Sequence, residues 1–151
     1  MNKTPIKTNA TRVLILSVFL VSSLSFRMAM ANEKQAVVAI PNTPAAIWQS
    51  IDNEADETAK LLQAGTLKDL HHHAFAIRDL VEALPGHSAS LPSDKLAKVK
   101  SDGKFVATLA ERLDAAGDGN DKASAASSFT KLQTVLKSLR ANYPDITPNE
   151  K

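Results

Sequence analysis

Four stretches of the chain carry residues for a buried face at alternating steps of three and four, with short breaks between them. The first is Trp48, Ile51, Ala55, Thr58 and Leu62. The second is Leu67, Leu70, Ala74, Ile77, Val81 and Leu84. The third is Leu96, Val99, Gly103, Val106, Ala110 and Leu113. The fourth is Ala125, Phe129, Leu132, Leu136, Leu139 and Tyr143. This spacing gathers each set along one side of a helix. No stretch alternates with period two, as a half-buried strand would. Four such helices can cover their stripes together by turning them onto a shared core. The expected fold is all-α, an up-down-up-down antiparallel four-helix bundle over residues 44–143.

Capping residues divide the helices. Thr43 before Pro44 suits an N-cap and first turn, and Gly65 suits a left-handed C-cap. Thr66 and Asp69 resemble a capping box, so the first connection should be two or three residues long. The second helix should end near Leu84, because Pro85-Gly86 cannot extend it. Pro92 should open the third helix, with Asp94 in its first turn, and that helix should run to about Ala116. Gly117-Asp118-Gly119-Asn120 reads as a tight turn, with Asp118 or Asn120 capping the fourth helix. That helix should stop before Pro144 and leave residues 144–151 as a disordered tail.

Residues 1–31 read as an export signal. Lys3, Lys7 and Arg12 precede an apolar run from Val13 to Leu24, and Ala29-Met30-Ala31 fits a signal-peptidase site. The run is short for a membrane span, whereas an uncleaved anchor would need a longer one. Cleavage would leave a flexible leader at residues 32–43 and a periplasmic chain with no membrane span. Residues 32–151 hold 14 Lys and Arg against 16 Asp and Glu, a formal charge of −2. No basic stripe carries interleaved aromatics, so nucleic acid is not an expected partner. The chain has no cysteine, which excludes disulfides, thiolate ligands and a Cys nucleophile. Export without cysteine favours a bacterial periplasm.

His71, His72 and His73 are the one obvious cluster of chemistry-bearing side chains. Imidazole binds copper, nickel and zinc. Consecutive helix positions lie about 100° apart, so three histidines in a row fan out instead of converging. A metal site therefore needs carboxylates from nearby. Pairing across a short turn at Gly65 would bring His71 and His72 near Glu57 and Thr58, and Asp69 lies one turn before His72 and His73. The candidate ligands are His71, His72, His73, Glu57 and Asp69. The competing reading is a row of boundary histidines bonded to carboxylates or water. His87 is expected in a solvated loop.

Other features have simpler accounts. Thr58 can bond a carbonyl one turn back, or serve as a polar partner for His71. Gly103 would admit a bulky neighbour such as Trp48 or Phe129. Asp114, Asp118 and Asp121 lack the ligand spacing and closing glutamate of a calcium loop. No phosphate loop or nucleophile-base pair can be named, so an enzyme is not expected. Phe75 falls on the outward side of its helix, as an aromatic for docking an envelope protein would.

The pattern of connections and the final Leu139-Arg140-Ala141-Asn142-Tyr143 resemble those of small periplasmic four-helix cytochromes, the soluble b-type cytochrome and cytochrome c-prime, over residues 44–143. That resemblance implies the bundle fold and, as one alternative, haem-based electron transfer. The b-type ligands do not carry over. Trp48 occupies the early region of helix one, where the family has Met, and Arg140 stands where it has His. The c-prime attachment motif needs cysteines. The segment His71-His72-His73-Ala74-Phe75-Ala76-Ile77-Arg78-Asp79-Leu80, followed by Leu84-Pro85, also resembles small exported proteins that accompany bacterial heavy-metal efflux systems. This second resemblance implies an accessory metal-binding role. The expectation is thus a non-enzymatic periplasmic bundle that binds copper, nickel or zinc weakly, with a metal-free envelope interaction module as the alternative.

Overall fold

The computed structural model describes residues 38–146. The export-signal reading of residues 1–31, the leader up to residue 37 and the tail from residue 147 lie outside the described residues. Within them the chain forms α1 (Pro44–Ala64), α2 (Leu70–His87), α3 (Ser93–Asp118) and α4 (Lys122–Arg140), and no strand. No helix among the described residues is long and apolar enough to cross a membrane.

Contacts across the core fix the helix directions. Glu54 on α1 meets His73 on α2, and the carbonyl of Asn42 meets His87, so these two helices run antiparallel. Gly117 lies against Leu70, and Gly103 against Val81, which reverses α3 relative to α2. Lys122 lies against Gly65 and Arg140 bonds Asp52, so α4 runs opposite to α1 and hence to α3, on which Ser138 reaches Asp102 at 3.4 Å.

The four stripes close on one another as their spacing requires. Ile51, Leu80, Leu113 and Leu132 are each fully buried. Full burial of one such side chain is worth about 1.5–3 kcal/mol. Thr58 is buried as well, and its hydroxyl donates to the Glu54 carbonyl at 2.8 Å. The one-turn-back account of this residue therefore holds.

Helix ends follow local chemistry, with three departures from expectation. Thr43 accepts from the Ala46 N–H, and Gly65 adopts φ 73°, ψ 18°. The Thr66 N–H reaches the Leu61 carbonyl and the Gly65 N–H that of Leu62, which completes a Schellman end. The first departure is that no capping box follows. Asp69 precedes α2 without a side-chain cap, and α2 begins only at Leu70. The connection is five residues, not two or three, because Leu67 turns inward to a small second core with Leu70, Ala116 and Ala125. The second departure is that α2 continues through Pro85 to His87. The Ser88 hydroxyl bonds the Leu84 carbonyl at 2.5 Å there. The third is that α3 runs to Asp118, and Asp121 caps α4 instead of Asp118 or Asn120. The Ser124 hydroxyl, and then its N–H, hold the Asp121 carboxyl below the usual range. Beyond α4, Tyr143 is buried and Ile146 packs on the core, so the expected tail begins with seated residues.

Two glycines in α3 separate close approach from open space. A methyl group on Gly117 would lie 2.7 Å from the Leu67 carbonyl oxygen, a contact that only backbone movement relieves. One on Gly103 would meet Val81, not Trp48 or Phe129, at an ordinary 3.5 Å. Gly117→Ala should therefore destabilise the fold by about 1–3 kcal/mol. Gly103→Ala should stabilise it by up to about 1 kcal/mol through helix propensity. Denaturant titration of the two variants checks both signs.

Candidate functional site

The imidazoles emerge from the first turn of α2. His71 and His73 are half-buried, and His72 is exposed. The His71 Nδ1 lies 2.9 Å from the Lys68 carbonyl oxygen. A carbonyl only accepts, so this nitrogen carries the proton and donates it. In a neutral ring the lone pair is then on Nε2. The His73 Nδ1 sits 2.7 Å from Glu54 Oε2, so its donation to the carboxylate leaves Nε2 in the same role. His87 repeats the arrangement with the Asn42 carbonyl at 3.2 Å, which ties it to the segment before α1.

The fan of three histidines is only partly realised. His71 and His72 turn toward each other, with ring centroids 3.8 Å apart and planes tilted by 42°. His73 alone turns toward α1. Its partner is Glu54, and the expected pairing of His71 or His72 with Glu57 does not form: the His71 Nδ1 bonds the Lys68 carbonyl. Glu57 instead binds Lys60 at 2.6 Å. The Lys60 hydrogen bond, then its charge, hold the Glu57 carboxyl below the usual range, with His73 adding least. Asp69 stands at the N-cap of α2, in the same turn as His71 and His72. Among the described residues, no three His, Cys, Asp or Glu side chains gather closely enough to share one ion. The arrangement can therefore offer a pair of imidazoles with water completing the shell, and no closed cage.

A second polar cluster lies at the other end of the bundle. The Arg140 guanidinium stacks 4.4 Å from the Trp48 ring centroid and bonds Asp52. Tyr143 meets the other side of this group, edge-on to Trp48 at 5.8 Å between centroids. Its hydroxyl pairs with Ser88 at 2.9 Å. Trp48 Nε1 and Arg140 Nη1 are buried without a hydrogen-bond partner among the described residues. Spacing marked Trp48 and Tyr143 as core, but nothing in the sequence announced their union with Arg140 and Asp52. The only signal was a cation and a carboxylate near opposite ends of helices that must run antiparallel.

The exposed aromatic is also a different one. Phe75 is partly buried against the core and lies under Arg78, whose guanidinium carbon is 4.5 Å from its ring centroid. Phe105 on α3 is 59% exposed.

Compared with protein-family models, curated proteins and solved structures, the chain matches none. What it has in common with the four-helix cytochromes is the helical bundle itself.

Burial raises the Tyr143 phenol above its ordinary value of 10.0, and the Ser88 bond offsets part of that rise. The fold thus favours the neutral phenol. Its contribution is complete below about pH 10 and declines as pH rises further. Tyr143→Phe should lose about 0.5–1.5 kcal/mol at neutral pH through the missing hydrogen bond. Its stability should also fall less steeply than the parent's above pH 10, as thermal melts across pH would register.

Proposed function

We propose that this protein is a non-enzymatic periplasmic bundle that binds a borderline transition metal weakly through the histidines opening α2. The observation that carries the reading is the fixed ring orientation. His71 and His73 both spend Nδ1 on protein oxygens, at 2.9 and 2.7 Å, which leaves the lone pair of the neutral ring on Nε2. Metal-binding histidines are held in this way by carboxylates and backbone carbonyls around metal centres. His71 and His72 supply the ligating pair, water completes the coordination, and Glu54 orients His73 beside them. The positive end of the α2 dipole opposes a bound cation, and the Asp69 carboxylate counters it. Weak affinity follows, with copper ahead of nickel and zinc for such nitrogen ligands. This chemistry suits the accessory role that the likeness to proteins of heavy-metal efflux systems implies.

Haem is the poorer reading. Trp48 and Arg140 stack on each other at the positions where the b-type cytochromes carry axial ligands. Neither side chain offers iron a lone pair.

Untagged protein purified from the periplasm, titrated calorimetrically with copper(II), nickel(II) and zinc(II), tests the proposal. Saturable copper binding should weaken at least tenfold in the His71→Ala/His72→Ala variant and only a few-fold in Glu54→Gln. Absence of saturable binding, or unchanged affinity in the double variant, would refute it.

A further inference from the structure

Two buried donors lie where α1 starts and α4 finishes, away from the imidazoles. Trp48 is 1% exposed, and its Nε1 has no hydrogen-bond partner among the described residues. The same holds for Nη1 of Arg140, whose guanidinium stacks on the Trp48 ring. The other terminal nitrogen of that guanidinium, Nη2, is already bound to Asp52. Indole and guanidinium nitrogens only donate, so the group that would complete them is an acceptor. Shielded donors without a partner are rare and costly in folded proteins.

Trp48 and Asp52 also line a cleft of about 480 Å3. The cleft is graded in exposure and in charge. Its inner wall is Trp48, with Arg140 held against it by the ring contact and by Asp52. Its rim carries Gln49 and Asp145, both exposed. Thr43, Ala45 and Ala46 add the first turn of α1 to the lining. The Thr43 side chain caps the Ala46 N–H, and no acidic side chain stands in that turn. The Ala45 N–H has no acceptor within the helix, and the positive end of the α1 dipole borders the cleft.

These features select for a carboxylate at the inner end, where an indole N–H, a guanidinium N–H and a helix N-terminus meet. A plain anion does not suit the whole cleft. Asp52 offsets the charge of Arg140, and Asp145 adds a second carboxylate at the rim. A molecule that carries an ammonium a few atoms from its carboxylate matches both ends. We propose that this cleft binds an amino-acid zwitterion, either free or as a dipeptide. The ligand carboxylate accepts from Trp48 Nε1, Arg140 Nη1 and the Ala45 N–H, and its ammonium faces Asp145 and the side-chain carbonyl of Gln49. Both buried donors lie beneath the lining, and the carboxylate reaches them by displacing the half-buried Ile146, which follows the last helix.

The chain has a single tryptophan, so one indole N–H resonance reports the inner wall. Untagged 15N-labelled protein is titrated with L-alanine, with L-alanyl-L-alanine, and with N-acetyl-L-alanine, which keeps the carboxylate and lacks the ammonium. The indole proton should move downfield and saturate with at least one of the two zwitterions. N-acetyl-L-alanine should bind at least fivefold more weakly. Saturation by L-alanine identifies a free amino acid, saturation by the dipeptide alone identifies a peptide, and either supports the site. Asp145→Asn, at an exposed position, should weaken the zwitterion at least threefold and leave N-acetyl-L-alanine unchanged. Trp48→Phe, followed through the Ala45 and Ala46 amides, should weaken it at least fivefold. Should that variant fail to fold, the Asp145→Asn result must still hold for the proposal to stand. An indole resonance unmoved by both zwitterions, or equal affinity for N-acetyl-L-alanine, overturns it.

Discussion

The close approach of the last turn of α3 to the Gly65–Asp69 connection sets where α2 and its imidazoles begin. Gly117 has no side chain, so the Leu67 carbonyl can lie where a methyl group would otherwise be. Leu67 then turns inward, and its small core with Leu70, Ala116 and Ala125 delays the start of α2 until residue 70. That delay slides α2 along α1. In the resulting register His73 meets Glu54.

A loop of ordinary appearance thus sets the chemistry of the imidazoles. The same slide leaves Glu57 to pair with Lys60 on its own helix. It keeps carboxylates dispersed around the histidines, and a dispersed arrangement orients rings without enclosing an ion. The opposite end of the bundle is built differently. There Trp48, Arg140, Asp52, Tyr143 and Ser88 interlock within the protein, and the charge of Arg140 is spent on Asp52 and the indole face.

The number of helices, their stripes and the caps at Thr43 and Gly65 were legible in the sequence, because each rests on local periodicity or backbone preference. The inward turn of Leu67 was not. The residue fits the helical period of its stripe yet lies outside the helix, so the period alone gave no warning. Continuation of α2 through Pro85 was equally hidden, since the Ser88 hydroxyl that bonds the Leu84 carbonyl acts from beyond the expected end. Of the candidate site, the three histidines and the neighbouring carboxylates were legible as residue types. Their partners depended on a register that local rules do not define. The outward placement of Phe75 failed for a similar reason: Arg78 covers it from the next turn, and the exposed aromatic is Phe105 on α3.

An even number of antiparallel helices returns the chain to the end from which it set out. Thr43 and Pro44 accordingly share a pocket wall with Tyr143 and Asp145, and His87 bonds the Asn42 carbonyl beside them. Any tether joined to either terminus of the bundle would leave from this one pole. His71, His72 and His73 sit toward the far pole, so a surface or larger assembly gripping the protein by its ends would leave them on the side turned away from it.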